Sequence, residues 1–561
     1  MARSLSDESA VRQKSLDRTS SVSFCERSFL ICFNESTLFC ARLAEIRLRY
    51  ASALSSESFL HEHNIKKNAT IRYIALFIFV NRVFVKFYAV KVAIIKESFV
   101  ISPRIMKKSF LTKYIFLLLS LTLLSSVQVD AQSVLGVKGE NSSSFGFYIK
   151  DLKTGKVLFE SNADKALVPA SITKSFTSAT ALSQLGADFR FKTKVTLENY
   201  KLSKGNLNGR LVVHAAADPT LESEFFMENR GFCDSIASRL SKLGVKNFNG
   251  EIVVADTLPD QGQIDSWTID DTPWAYGAGF YGLNYKDNTS YLWPATGKTK
   301  PVIPGLNVVL HRARSTNLSR GIGSSTIHVY APRKTLANKN WKVVTTMPDP
   351  AASFVEELKE ALKEEGISFT PTAISSGKNK SAKTLYIHCS PALEDILHSL
   401  MVRSDNMFAE GVLRALTPGK SRSDALDAEL SLWQSRGFDT DNVTIMDGSG
   451  LSRADRISPV FMAKMLEWMA KSKMAEKYIS LFPVSGVDGT MKNFCKDNRL
   501  SGRLAFKTGS MSGVQCYAGY VLAADSNRPT HVVVIMANSF FCPRSQLKSA
   551  IENFLLEKLP E

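Results

Sequence analysis

After residue 131, hydrophobic positions recur with two different periods. Alternation from Phe145 to Ile149 and again from Lys156 to Glu160, about a Lys153-Thr154-Gly155 turn, predicts a β-hairpin. Helical spacing takes over at Ile172, Phe176, Ala179 and Leu182, introduced by Pro169 and Ser171 and ended by Gly186. From about 192 to 379 the chain changes to short β-type runs broken by Gly, Asn, Asp and Pro, among them Arg210 to His214, Glu251 to Ala255, Leu306 to His311 and Thr326 to Tyr330. This stretch reads as a strand-rich insert of two subdomains, with an amphipathic helix from about Ala352 to Glu365 near its end. A strand from Thr384 to His388 precedes helical patterning through Leu416 and again from Pro459 to about Leu481. Strand runs at Leu504 to Lys507, Gln515 to Leu522 and His531 to Met536 then lead into a closing helix, about Pro543 to Lys558. Strands at both ends with helices between predict an α/β (α+β) fold: an antiparallel sheet flanked by helices, built from segments 132–191 and 380–561 around the insert.

Upstream of that pattern, Lys107, Lys108 and Lys113 precede an uncharged apolar run from Tyr114 to Val127 and then Val129-Asp130-Ala131. This is the layout of a signal peptide over 106–131, cleaved near Ala131. Its apolar run is short for a bilayer span. Such a segment works at an N-terminus, so Met106 is read as the true start and residues 1–105 as a non-genuine extension. The formal charge of +17 shrinks accordingly. Residues 1–105 carry +7 and 106–131 carry +2, leaving +8 on 132–561. That excess suits a protein working near an anionic polymer, with peripheral membrane association as a further option. No basic block interleaved with aromatics speaks for nucleic acid. Cys233, Cys389, Cys495, Cys516 and Cys542 have no metal-ligand spacing, so no metal is expected, and they read as small buried apolar residues.

Three short motifs carry candidate chemistry. Ser171-Ile172-Thr173-Lys174 puts a hydroxyl and an amine on one face of a helix start, as a nucleophile and its base require. Ser404-Asp405-Asn406, in a helical region, offers a second hydroxyl for proton relay and an amide to hold a carbonyl or the lysine, against the plain alternative of a helix N-cap. Lys507-Thr508-Gly509-Ser510 lies on a strand edge, where a lysine and hydroxyls suit a carboxylate and Gly509 would let a ligand backbone approach. Each motif has decoys: S-x-x-K recurs at Ser375 to Lys378 and Ser545 to Lys548, and K-T-G at Lys153 to Gly155. The order S-x-x-K, SDN, KTG is that of penicillin-binding proteins and β-lactamases.

With these motifs the chain resembles the class C, low-molecular-mass penicillin-binding proteins, D-alanyl-D-alanine carboxypeptidases and endopeptidases. Val168-Pro169-Ala170-Ser171, Asp218-Pro219-Thr220-Leu221, Asp447 through Arg453, and Pro483 through Gly489-Thr490-Met491 also carry the resemblance, as does the long interval between Ser171 and Ser404. It implies a β-lactamase-like catalytic domain interrupted by the insert, peptidoglycan stem peptides as substrate, acylation by β-lactam antibiotics, and no cofactor. It further implies Ser171 as nucleophile, Lys174 as general base, Ser404 as proton donor to the leaving amine, Asn406 on the acyl side, and Lys507 with Thr508 and Ser510 on the terminal carboxylate. Backbone N–H groups of Ser171 and Ser510 would form the oxyanion hole. Asp271 and Tyr276 match positions at the amino end of the stem peptide's diamino acid, and Arg453 a residue binding its carboxylate. Ser512 stands where some members have a glutamine, and Ala215-Ala216-Ala217 where glycines are usual.

The rival readings are a serine β-lactamase, which needs a further group to activate water, and a non-catalytic penicillin or peptidoglycan sensor. The resemblance leaves carboxypeptidase and endopeptidase both open and says nothing of oligomeric state. Deleting codons 1–105 is expected to leave export and activity unchanged, measured by fractionation and D-alanine release; loss of export would contradict the start at Met106.

Overall fold

The computed structural model describes residues 133–374 and 381–560, so the expected signal segment and the decoy at Ser375 to Lys378 lie outside the described residues. The N-terminal hairpin forms as β1 (Ser144–Asp151) and β2 (Val157–Ser161), its Lys-Thr-Gly turn held by Asp151 Oδ1 accepting from Lys153 N and Thr154 N, both at 2.8 Å. A single 3₁₀ turn (Ala170–Ile172) leads into α1 (Thr173–Leu185). The next sheet takes β3 (Lys192–Ser203) and β4 (Asn206–His214), and a helix the strand-rich texture had hidden, α2 (Phe232–Lys242), precedes β5 (Asn247–Ala255). Two small three-stranded sheets follow, made from β6 (Thr289–Trp293), β7 (Lys298–Lys300), β8 (Asn307–Arg312), β9 (Asn317–Ser319), β10 (Thr326–Ala331) and β11 (Val343–Thr346). The insert closes with α3 (Pro350–Glu364), β12 (Ser368–Pro371) and β13 (Ala382–Cys389). Its main sheet has the order β12-β5-β4-β3-β13. Because β13 pairs with β3 from Ala382 to Cys389, the insert sheet ends at Cys389 and not near 380.

Four helices come next: α4 (Leu393–Arg403), α5 (Asn406–Arg414), α6 (Arg422–Ser435) and α7 (Pro459–Lys471), then the short α8 (Ala475–Ile479). Two of these differ from expectation. The helix at α6 was not anticipated, although Ser421 and Asp424 form a reciprocal capping box at its start. The helix expected to run from Pro459 to Leu481 breaks at Ser472, which takes an extended conformation. The final segment supplies β14 (Leu504–Met511), β15 (Val514–Leu522), β16 (Pro529–Asn538) and α9 (Arg544–Lys558).

The first and last described strands meet in one antiparallel sheet of order β14-β15-β16-β1-β2. Period-two alternation divides its two faces. Phe145, Phe147 and Ile149 of β1 join Phe506, Tyr517, Val533 and Ile535 beneath α9, where Phe147 and Phe554 rings lie 5.1 Å apart. The opposite face, with Ala505, Cys516, Ala518, Val534 and Met536, packs on the helical layer of α1, α4, α5 and α7. Trp433 of α6 is fully buried in that layer and donates from Nε1 to Thr180 Oγ1 at 2.8 Å, fastening α6 to α1. The edge strand β14 therefore lies beside the turn that opens α1, and both belong to one core.

The five cysteines among the described residues are unpaired thiols; four are buried, whereas Cys389 is exposed, against the expectation for all five. Among the described residues no helix is long and apolar enough to cross a membrane.

Candidate active site

Ala170 adopts the left-handed conformation (φ 49°), unusual for a residue with a side chain, and turns the chain so that Ser171 stands partly exposed at the head of α1. Two glycines make room for this turn. A Cβ on Gly450 would lie 2.0 Å from Ala170 O, and one on Gly509 would lie 2.6 Å from Pro169 O. The freedom at Gly509 thus serves the approach of β14 to the serine's own segment, where the sequence had suggested a ligand.

Lys174 lies one helical turn beyond Ser171, with its side chain fully buried. Its Nζ donates to Asn406 Oδ1 at 2.5 Å and to Ser449 O at 2.6 Å, and lies 3.0 Å from Ser171 Oγ. The first two partners can only accept. A neutral lysine would spend its two N–H bonds on them and aim its lone pair at the one partner able to donate, the Ser171 hydroxyl. Burial lowers the Lys174 pKa from 10.5 to about 8, opposed by the charges of Asp447, Asp405, Glu410 and Asp455. Burial also raises Glu410 to about 7 and holds Asp455 well above the usual carboxylate range.

The SDN motif occupies a break between helices and not the interior of one. Ser404 ends α4 in the left-handed conformation (φ 62°, ψ 40°), and Asp405 caps α5 by accepting from Phe408 N at 3.0 Å. The N-cap reading and the functional one hold together: the cap fixes the break, and the break points Ser404 and Asn406 to the same place. Lys507 Nζ donates to Ser404 Oγ at 2.8 Å and to Thr508 O at 2.9 Å. Its amine is fully buried, and burial, with Lys174 adding repulsion, pushes its pKa well below the ordinary value.

Asp447 shows why the Asp-Gly-Ser-Gly-Leu-Ser run has its shape. Its buried carboxylate accepts from the backbone N–H of Ser449 (3.0 Å), Gly450 and Ser452 (2.8 Å), and from Trp267 Nε1 at 2.6 Å. This clamp aims the Ser449 carbonyl at Lys174 and anchors the insert through Trp267. The spacing of the run alone does not reveal three N–H groups turned on one side chain, so the role of Asp447 is visible only in the fold.

The insert reaches the site a second time. Asn406 Nδ2 donates to Tyr276 O at 2.7 Å, so the amide holds the lysine on one side and the insert on the other. Asp271 Oδ1 accepts from Tyr276 OH at 2.9 Å, which puts both residues of the expected stem-peptide pocket together. The exposed Arg453 reaches Ser512 O at 3.4 Å, tying it to the turn after the KTG motif. Thr508 Oγ1 bonds Thr490 Oγ1 at 2.9 Å, bringing the Gly489-Thr490-Met491 run, which carried the resemblance without an assigned role, to the site. The exposed Ser510 contacts Arg544 of α9, a residue no motif had singled out.

Residues 132–554 match the family model described as D-Ala-D-Ala carboxypeptidase 3 (S13). The chain is similar to the D-alanyl-D-alanine carboxypeptidase DacB of Haemophilus influenzae, 27% identical over 444 residues, with 74% of this chain and 90% of that protein aligned. It is also similar to the D-alanyl-D-alanine carboxypeptidase of an Actinomadura species, 27% identical over 432 residues, covering 71% of this chain and 79% of that protein. In fold it resembles the crystal structure of penicillin binding protein 4 from Haemophilus influenzae at a TM-score of 0.65 and 24% identity, over 77% of this chain and 99% of the other.

The packing at β14 generates a direct prediction. Gly509→Ala is expected to separate β14 from the Ser171 turn, costing about 1–3 kcal/mol in chemical denaturation and slowing acylation at least about tenfold; an unaltered acylation rate would contradict the close approach.

Proposed function

We propose the residue-level chemistry of a chain that belongs to the D-Ala-D-Ala carboxypeptidase 3 (S13) family and is, with it, a serine-type D-Ala-D-Ala carboxypeptidase. Neutral Lys174 takes the proton from Ser171 Oγ as that oxygen attacks the carbonyl carbon between the two D-alanines. The resulting oxyanion is held by the backbone N–H groups of Ser171 and Ser510. On collapse the C–N bond breaks, the proton taken up by Lys174 passes through Ser404 to the departing amine, and an ester joins the shortened peptide to Ser171, leaving Lys174 neutral. Lys507 supplies the hydrogen bond that orients Ser404. Water, losing its proton to Lys174, then cleaves the ester and restores the hydroxyl.

Thr508, Ser510 and Lys507 receive the terminal carboxylate, while Asp271, Tyr276 and Arg453 form the pocket for the stem peptide's diamino acid. The observation carrying this reading is the Lys174 environment: two acceptor-only partners and one hydroxyl around a buried amine. Peptidoglycan stem peptides are the proposed substrate class, in monomeric or cross-linked form, since endopeptidase cleavage breaks the same bond type. A β-lactam would acylate the same serine; the penicillin binding protein 4 neighbour has been crystallised with a β-lactam. Export through the signal peptide at 106–131 agrees with a family match that starts at residue 132.

Incubation with a pentapeptide and with purified monomeric and cross-linked muropeptides, followed by mass spectrometry, tests the assignment. The expected result is release of D-alanine, abolished in Ser171→Ala, together with a slowly hydrolysed penicillin adduct on Ser171. Rapid penicillin turnover would support a β-lactamase instead. An adduct with no peptide product from any substrate would support a sensor.

A further inference from the structure

Arg544 is the first residue of α9, and its guanidinium is spent on the hairpin that carries the KTG motif. Nη1 donates to Ser510 Oγ, to Gln515 Oε1 at 2.7 Å and to Val514 O at 3.0 Å; Nη2 donates to Met511 O at 2.6 Å. All four acceptors are uncharged, and among the described residues no carboxylate pairs with Arg544 within 4.0 Å. A permanent positive charge therefore stands one hydroxyl behind a strand edge that is open to solvent at Ser510.

The Ser510 hydroxyl is poised between two acceptors. Its oxygen receives an N–H from Arg544, which leaves its own hydrogen to donate outward. That hydrogen goes to Gln515 Oε1 at 3.1 Å, a long bond to an oxygen that Arg544 already serves. A substrate carboxylate would be the better acceptor, because a charge-assisted hydrogen bond is roughly twice as strong as a neutral one. The arginine favours this exchange in two ways: it fixes the serine rotamer and it places an unneutralised charge behind the new anion.

We propose that Arg544 is a specificity-determining positioning residue, which selects ligands bearing a free terminal carboxylate by acting through Ser510. The inference rests on the serine-acylation reading above and adds the source of its carboxylate preference. Lys507, on the other side of the motif, is engaged with Ser404 Oγ and Thr508 O, whereas the Arg544 guanidinium stands directly behind Ser510.

The test compares acylation of Ser171 by a penicillin free acid and by the methyl ester of the same penicillin, in the full mature chain. Wild-type protein is expected to react faster with the acid, and Arg544→Gln to shrink the acid-to-ester ratio by about 10- to 100-fold. In a Ser510→Ala background the same arginine change is expected to shrink the ratio far less. If acid and ester rates fall in parallel, Arg544 merely braces the hairpin and the proposal is overturned, as it is by an unchanged ratio. Should Arg544→Gln not fold, Arg544→Lys carries the test, with the ratio expected to fall about threefold or more as the fork is lost. Absence of any Ser171 adduct in wild-type protein would instead overturn the acylation reading itself.

Discussion

Two amines buried side by side are the constraint on which the rest of the structure depends. Lys174 and Lys507 are both withdrawn from water, and the charge of Lys174 adds to the burial that lowers the Lys507 pKa. Burying one charge is costly unless it is paired, and two like charges in a dry site cost more. The fold answers by surrounding Lys174 with neutral acceptors, Asn406 Oδ1 and Ser449 O, and by holding Lys507 against Ser404 and Thr508. An amine in such a place is poised to lose its proton near neutrality, which is the property a serine's base must have.

That arrangement needs elements from far apart in sequence, and the clamp at Asp447 shows how they are kept in register. One buried carboxylate gathers three backbone N–H groups of its own loop and the indole of Trp267 from the insert. The insert also supplies the carbonyl of Tyr276 to Asn406. Because Trp267 and Tyr276 belong to the same short stretch, the part of the insert carrying Asp271 and Tyr276 is fixed to the groups that hold the lysine. Tyr276 with Asp271 and the Lys174 amine are then two ends of one hydrogen-bonded assembly.

Much of this was legible in residue order. The sheet strands and the opening helix followed from period-two and helical spacing, since each has one face on a core. The three motifs were legible because their chemistry needs hydroxyls and amines at short range on regular elements. What sequence could not show were contacts set by tertiary approach. The break at Ser404 depends on a left-handed residue followed by a cap, and a helical pattern on both sides conceals it. The need for glycine at position 509 comes from the turn at Pro169, more than three hundred residues away. The helix Arg422–Ser435 had a readable cap at Ser421, but Ser, Asp and Glu interrupt its apolar positions and weaken the periodic signal. Arg544 lay outside every motif, and only the pairing of Ser510 with Gln515 brings its partners together.

The central claim is that Lys174 serves as a neutral base. It is tested most directly by the second-order rate of Ser171 acylation by penicillin as a function of pH, followed by mass spectrometry from about pH 6 to pH 10. Only the unprotonated amine can accept the serine proton, so the account predicts a rate that climbs about tenfold per pH unit at low pH and levels off near the Lys174 pKa of about 8. A rate still rising toward the ordinary lysine value of 10.5 would contradict it, as would one already flat at the acid end of the range.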